Sequence, residues 1–107
     1  MFVRVYTFHI QKGKEEKYLT IQKRTEKIYK KYLDFQTIYL KSKEDNTKWM
    51  EINRYKNEED YKKSIEQINK EQDIQELFKE FQSILVKGGE IIEENFVQLL
   101  QDDCANA

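Results

Sequence analysis

The chain has 107 residues, close to the commonest size for a single domain, so one folded unit is expected. Charged residues make up 36% of it, yet 19 Lys and Arg nearly cancel 20 Asp and Glu, leaving a net charge of −1. That balance excludes the broad positive field through which proteins collect nucleic acid or anionic membrane. The apolar runs fall well short of the ~20 residues that a membrane-spanning helix requires. Cys104 is the only cysteine, which excludes an internal disulfide. With no signal-peptide pattern at the start, a cytoplasmic protein is expected.

The opening segment, FVRVYTFHI, is β-branched and aromatic throughout and predicts a strand. Alternation places Phe2, Arg4, Tyr6, Phe8 and Ile10 on one face, with Val3, Val5, Thr7 and His9 on the other. Both faces are largely apolar, as in a central strand covered on both sides. Gly13 then breaks the chain. From Lys14 to about Leu33 the apolar spacing is helical, with Tyr18, Ile21, Thr25, Ile28, Tyr29 and Tyr32 facing inward.

QTIYLKS and KWMEINRY follow as two strands joined by the turn-forming loop KEDNT. Asn57 is placed to cap a second helical stretch, with Tyr61, Ile65 and Ile68 inward. The phase then slips to Ile74, Leu77, Phe78, Phe81, Ile84 and Leu85, which predicts a break near Gln72 and a capping box from Asp73 to Glu76. Gly88-Gly89 is expected to end the helical region. EIIEENFVQLL supplies a last strand. Residues 1–100 therefore read as one domain, and 101–107 as a disordered polar tail.

The order β-α-β-β-α-β predicts a ferredoxin-like α+β sandwich, a four-stranded antiparallel sheet with its helices on one face. The first and third strands are expected side by side and parallel. The uncovered face would carry Val3, Val5, Met50 and Ile52, too much apolar surface to leave in water. A homodimer packed sheet to sheet is the expected remedy.

Across Phe2 to about Leu100 the chain resembles the antibiotic biosynthesis monooxygenase superfamily of dimeric α/β barrels. The resemblance rests on the opening strand followed by KGKEEKYL, and on NRYKNEEDYKKSI, which is similar to that family's strand-end aromatic, charged turn and helix start. It implies the fold above, and an activity among cofactor-independent oxygenases, haem-degrading enzymes and isomerase-like proteins. In the haem-degrading branch the resemblance implies Asn, Trp and His where this chain has Tyr6, Tyr55 and Ile65. Haem binding of that kind is therefore not expected, and no cofactor is.

Other chemistry finds little support in the residues. His9 is the only histidine; it falls on the face with Val3 and Val5 and lacks an evident second group for acid–base work. Cys104, Ser42 and Ser64 have no nucleophile motif around them. The acidic clusters at 58–60 and 93–94 lack ligand spacing, so no metal site is expected. The Lys–Tyr mixture of the first helix, interleaved with Glu, reads as a solvated face over buried tyrosines instead of a nucleic-acid surface.

What remains is the third strand. Alternation groups Trp49, Glu51, Asn53 and Tyr55, and the resemblance at Tyr55 implies that this face looks toward the helices. Together with Arg4 and Tyr6 they would line one space between sheet and helices. Burying a carboxylate, an amide and a guanidinium costs several kcal/mol unless each is paired. One reading makes this a structural Arg4–Glu51 ion pair with tyrosines reaching solvent. The other makes it a pocket for a small aromatic or enolisable molecule, with Glu51 and Tyr55 as catalytic residues and Arg4, Tyr6, Trp49 and Asn53 binding the ligand. A cofactor-independent monooxygenase and a non-catalytic, small-molecule-binding or stress-associated dimer both fit. A cavity filled by Trp49 and Phe78 would argue against the enzyme.

Overall fold

A computed structural model describes residues 1–104; of the expected tail at 101–107, residues 105–107 lie outside the described residues. Chain order is β1 (Phe2–His9), α1 (Glu15–Tyr29), β2 (Phe35–Lys41), β3 (Lys48–Tyr55), α2 (Glu58–Ile68), α3 (Gln72–Ser83) and β4 (Ile92–Val97). The strands form one sheet in the order β2-β3-β1-β4, antiparallel at every pairing. This is the α+β ferredoxin-like arrangement.

One expectation needs correcting: β1 and β3 are adjacent but antiparallel. The reason is topological. The crossover through α1 returns the chain to run β2 in the direction of β1, and the tight β2–β3 connection then reverses it. The grouping of side chains survives, because residues directly opposite across a pair share a face whatever the strand direction. Tyr6 lies opposite Glu51, Arg4 opposite Asn53, and Phe8 opposite Trp49.

All three helices cover one face. From α1, Tyr18 packs edge-on against Phe8 at 5.5 Å; from α3, Phe81 meets the same ring at 5.0 Å. Tyr61 of α2 packs against Phe2 and Tyr55. Phe8, Ile10, Tyr18, Ile68 and Ile84 are the most deeply buried side chains. Asn57 caps α2 as expected, its Oδ1 accepting from the Asp60 N–H at 2.7 Å.

The helix boundaries shift where tertiary contacts intervene. α1 stops at Tyr29, not Leu33, because the Tyr29 carbonyl accepts from both Tyr32 and Leu33 and tightens the chain into a turn. Tyr32 and Leu33 still pack on the core from that turn, which is why the inward spacing of the sequence runs on past the helix. α3 starts at Gln72 with Glu71 in the cap position and no side-chain cap, so the Asp73–Glu76 box does not form. The Glu71 carboxylate is drawn instead to Lys31 at 2.9 Å. α3 ends at Ser83, before the glycines, because the chain turns back to the end of β1: the Gln11 N–H donates to the Ile84 carbonyl and that of Val86 to the His9 carbonyl, each at 2.9 Å. Gly88 then makes the turn into β4 at φ +77.

The other face of the sheet carries no helix. Ile38 lies opposite Ile52, Leu40 opposite Met50, Val5 opposite Ile52, and Val3 opposite Phe96. Ile38, Leu40, Ile92 and Phe96 are each about half exposed, at 45%, 45%, 50% and 49%. The four strands thus present a mainly apolar surface, interrupted on β4 by Glu94 opposite Val5. Among the described residues no helix is long and apolar enough to cross a membrane.

Candidate functional site

Between the helices and the covered face lies a cavity of about 210 Å³. Its floor is sheet: Tyr6 from β1, Thr37 and Tyr39 from β2, and Glu51, Asn53 and Tyr55 from β3. Its walls come from α1 through Gln22, Thr25, Glu26 and Tyr29, and from α3 through Phe78 and Phe81. Strand alternation delivers the floor, since positions 51, 53 and 55 must all point one way. Helical spacing delivers the α1 wall, since positions 22, 25, 26 and 29 follow the three-and-four rhythm of one helix face.

Glu51 is the unusual member. It is only 6% exposed, and its Oε1 accepts from the Tyr18 hydroxyl at 2.5 Å and from the Gln22 amide. Both donors are neutral. Burial pushes the carboxyl above the ordinary range, the hydrogen bonds from Tyr18 and Gln22 act against it, and nearby Glu26 adds to the rise. Asn53 sits two residues along the same face, its Oδ1 accepting from the Thr37 hydroxyl at 2.7 Å. The tyrosines are held in their neutral, donating form. Tyr6 is pushed up to about 12, first by burial and then by Tyr61, and burial likewise raises Tyr18, Tyr29, Tyr39 and Tyr55.

Two sequence-predicted members do not line this cavity. Trp49 is 5% exposed and packs against Tyr18 at 4.9 Å; it shares the face but sits at the start of β3, where the core is closed. Arg4 lies behind Tyr6. Its guanidinium donates to the Tyr61 hydroxyl at 2.6 Å and pairs with Glu93, so the predicted Arg4–Glu51 pair is replaced by Arg4–Glu93. Glu51 and Glu93 both stand opposite Tyr6, on its two sides. Arg4 turns to the exposed one, where the ion pair costs less desolvation.

Tyr6, Glu51, Asn53 and Tyr55 do come together as lining residues. Neither Trp49 nor Phe78 fills the space: Trp49 is in the core, and Phe78 stands half exposed at the rim. Sequence reasoning missed Gln22, Glu26, Thr37 and Tyr39 as lining residues. A faint signal existed in Gln22, a polar residue four positions after the inward Tyr18. His9 lies on the other face, its Nδ1 2.9 Å from the Thr47 Oγ1.

This geometry can be set beside known proteins. No protein-family profile matches the chain, and no curated protein matches it in sequence. Solved structures do. SnoaB, a cofactor-independent oxygenase from Streptomyces nogalater, superposes with a TM-score of 0.72 at 9% identity, covering 94% of each chain. The chain has the fold of the antibiotic biosynthesis monooxygenases. A crystal structure bearing that family's name matches with a TM-score of 0.65 at 11% identity, over 92% of this chain and 100% of the other. An uncharacterized NIPSNAP domain protein from Burkholderia xenovorans matches at 0.69 and 15% identity, over 95% of this chain and 100% of its own. At such identities the likeness carries the fold and nothing finer.

Proposed function

We propose that the protein is a cofactor-independent monooxygenase-like protein that takes a small aromatic or enolisable molecule into the cavity. The observation that carries this reading is Glu51, a buried carboxylate at the cavity floor, hydrogen-bonded only by neutral groups and held above its usual range. Such a group, once ionised, is a strengthened base. Glu51 would take the proton from an activated C–H or O–H of the substrate. Tyr6, Asn53 and Tyr55 would hold the substrate oxygens where negative charge develops. The electron-rich anion then reduces dioxygen directly: an activated CH₂ becomes C=O, and the second oxygen atom leaves as water. Electrons balance within substrate and dioxygen, so no external reductant is needed.

The same reading includes a homodimer, the two apolar sheet faces packed together and burying on the order of 2,000 Å² in total. A cytoplasmic location belongs to it as well. A second reading, a binding protein without catalysis, has one observation in its favour: Tyr18 and Gln22 already satisfy Glu51 Oε1, as they would for a carboxylate kept for structure.

Dissolved-oxygen consumption on a panel of phenols, quinols and anthrone-like ketones separates the two. Uptake that disappears in Glu51→Gln supports catalysis, while ligand binding without uptake supports the second reading. Asn53→Leu and Tyr55→Phe should each weaken ligand binding by about 1–3 kcal/mol with the fold intact, because a buried partner is left without its bond. Loss of thermal stability with unchanged ligand affinity would instead make both residues structural.

A further inference from the structure

We infer that the ligand of this cavity carries a positive charge, a protonated amine on a single-ring aromatic body, and that anionic molecules are turned away. The inference rests on the cavity being the functional site, and it concerns what that site selects.

Of the fifteen lining residues eight are aromatic and two, Glu26 and Glu51, are carboxylates; none is Lys, Arg or His. The nearest cations are largely committed. Arg4 is held by Glu93 and Tyr61 through its two terminal nitrogens, with only Nε buried and unpaired, and Lys23 lies 3.3 Å from Glu26 with most of its side chain in water. Glu26 therefore has a counter-ion. Glu51 has none among the described residues, only the Tyr18 hydroxyl and the Gln22 amide.

The sheet register adds a second, independent feature. Glu51 stands directly between Tyr6 on β1 and Tyr39 on β2, so an aromatic ring flanks the carboxylate on each side. Both rings already attract cations, with Arg4 5.7 Å from the centroid of Tyr6 and Lys23 6.0 Å from that of Tyr39. A carboxylate with an electron-rich ring on either side is the arrangement that holds an organic ammonium, by charge and by cation–π attraction together. The remaining rings, Phe35, Tyr55 and Phe81, suit the flat apolar body. A carboxylate or phosphate ligand would meet the unpaired charge of Glu51, while Arg4 and Lys23 are held by Glu93 and Glu26. An ammonium would also supply the countercharge that the buried Glu51 lacks, favouring the ionised form that a base requires.

The test is a matched series of probes, tyramine, 4-ethylphenol and 4-hydroxyphenylacetate, with nearly the same ring and arm but charges of +1, 0 and −1. Titration calorimetry at neutral pH should find tyramine at least tenfold tighter than 4-ethylphenol, with 4-hydroxyphenylacetate weakest. In Glu51→Gln the advantage of tyramine over 4-ethylphenol should shrink to about threefold or less. If 4-ethylphenol or the acid binds as tightly as tyramine, the charge preference is wrong and the cavity reading stands. If the tyramine preference persists in Glu51→Gln, the assignment to Glu51 is overturned. If none of the three binds, the cavity reading fails and takes this inference with it.

Discussion

Lysine in place of Ile52 should abolish the dimer, giving a species of 13.1 kDa or an aggregate where the parent protein gives about twice that mass by light scattering. Ile52 sits opposite both Ile38 and Val5, in the middle of the uncovered face, with Met50 and Leu40 beside it and Glu94 of β4 beyond Val5. In a sheet-to-sheet dimer that position is dry, and an ammonium buried there among Ile38, Val5 and Met50 costs several kcal/mol. In the single chain the same position is only partly covered, so the lysine can reach water and the fold should persist. Circular dichroism should therefore be unchanged while mass and concentration-dependent stability change. A parent protein that remains at 13.1 kDa at micromolar concentration would remove the premise. A dimer that tolerates the lysine would place the interface elsewhere.

That face was legible from sequence because alternation with a period of two is a local property, and β1 and β3 obey it throughout. The same rule made Glu51, Asn53 and Tyr55 recognisable as one set. It conveys nothing about depth along a strand, so Trp49, on the same face, reads the same as its neighbours although it lies under Tyr18 in closed core. Nor does it choose between partners. Arg4 has a carboxylate diagonally available on either neighbouring strand, and solvation, not spacing, decides for Glu93. The donors to Glu51 were hidden for a different reason: Tyr18 and Gln22 are brought to it by the packing of α1 on the sheet, a contact across 29 to 33 residues of chain. Strand direction was recoverable, since a crossover followed by a hairpin fixes it, yet residue pattern alone does not reveal it.

Glu51→Gln should make the protein more stable and less active at once. In the fold the Glu51 carboxyl titrates above its ordinary value of about 4.3, chiefly through burial, so the native state holds this proton more tightly than the unfolded chain does. The stability this contributes is fully present below the unfolded value and is lost as pH rises through the raised folded one. Glutamine has the same shape, stays neutral, and keeps an oxygen to accept from Tyr18 and Gln22. Above the raised value the variant should therefore exceed the parent by roughly 1–3 kcal/mol, the penalty the ionised group no longer incurs. In a chain of this size each kcal/mol moves the midpoint by about 4–8 °C. Toward pH 4 the two melting curves should converge, because both side chains are then neutral. Oxygen consumption should fall by a factor of about 10²–10⁴, the usual contribution of a positioned base. A variant less stable than the parent at pH 8 would mean that the ionised carboxylate is already well compensated in the empty cavity, which would deprive both the base and the ammonium site of their physical motive.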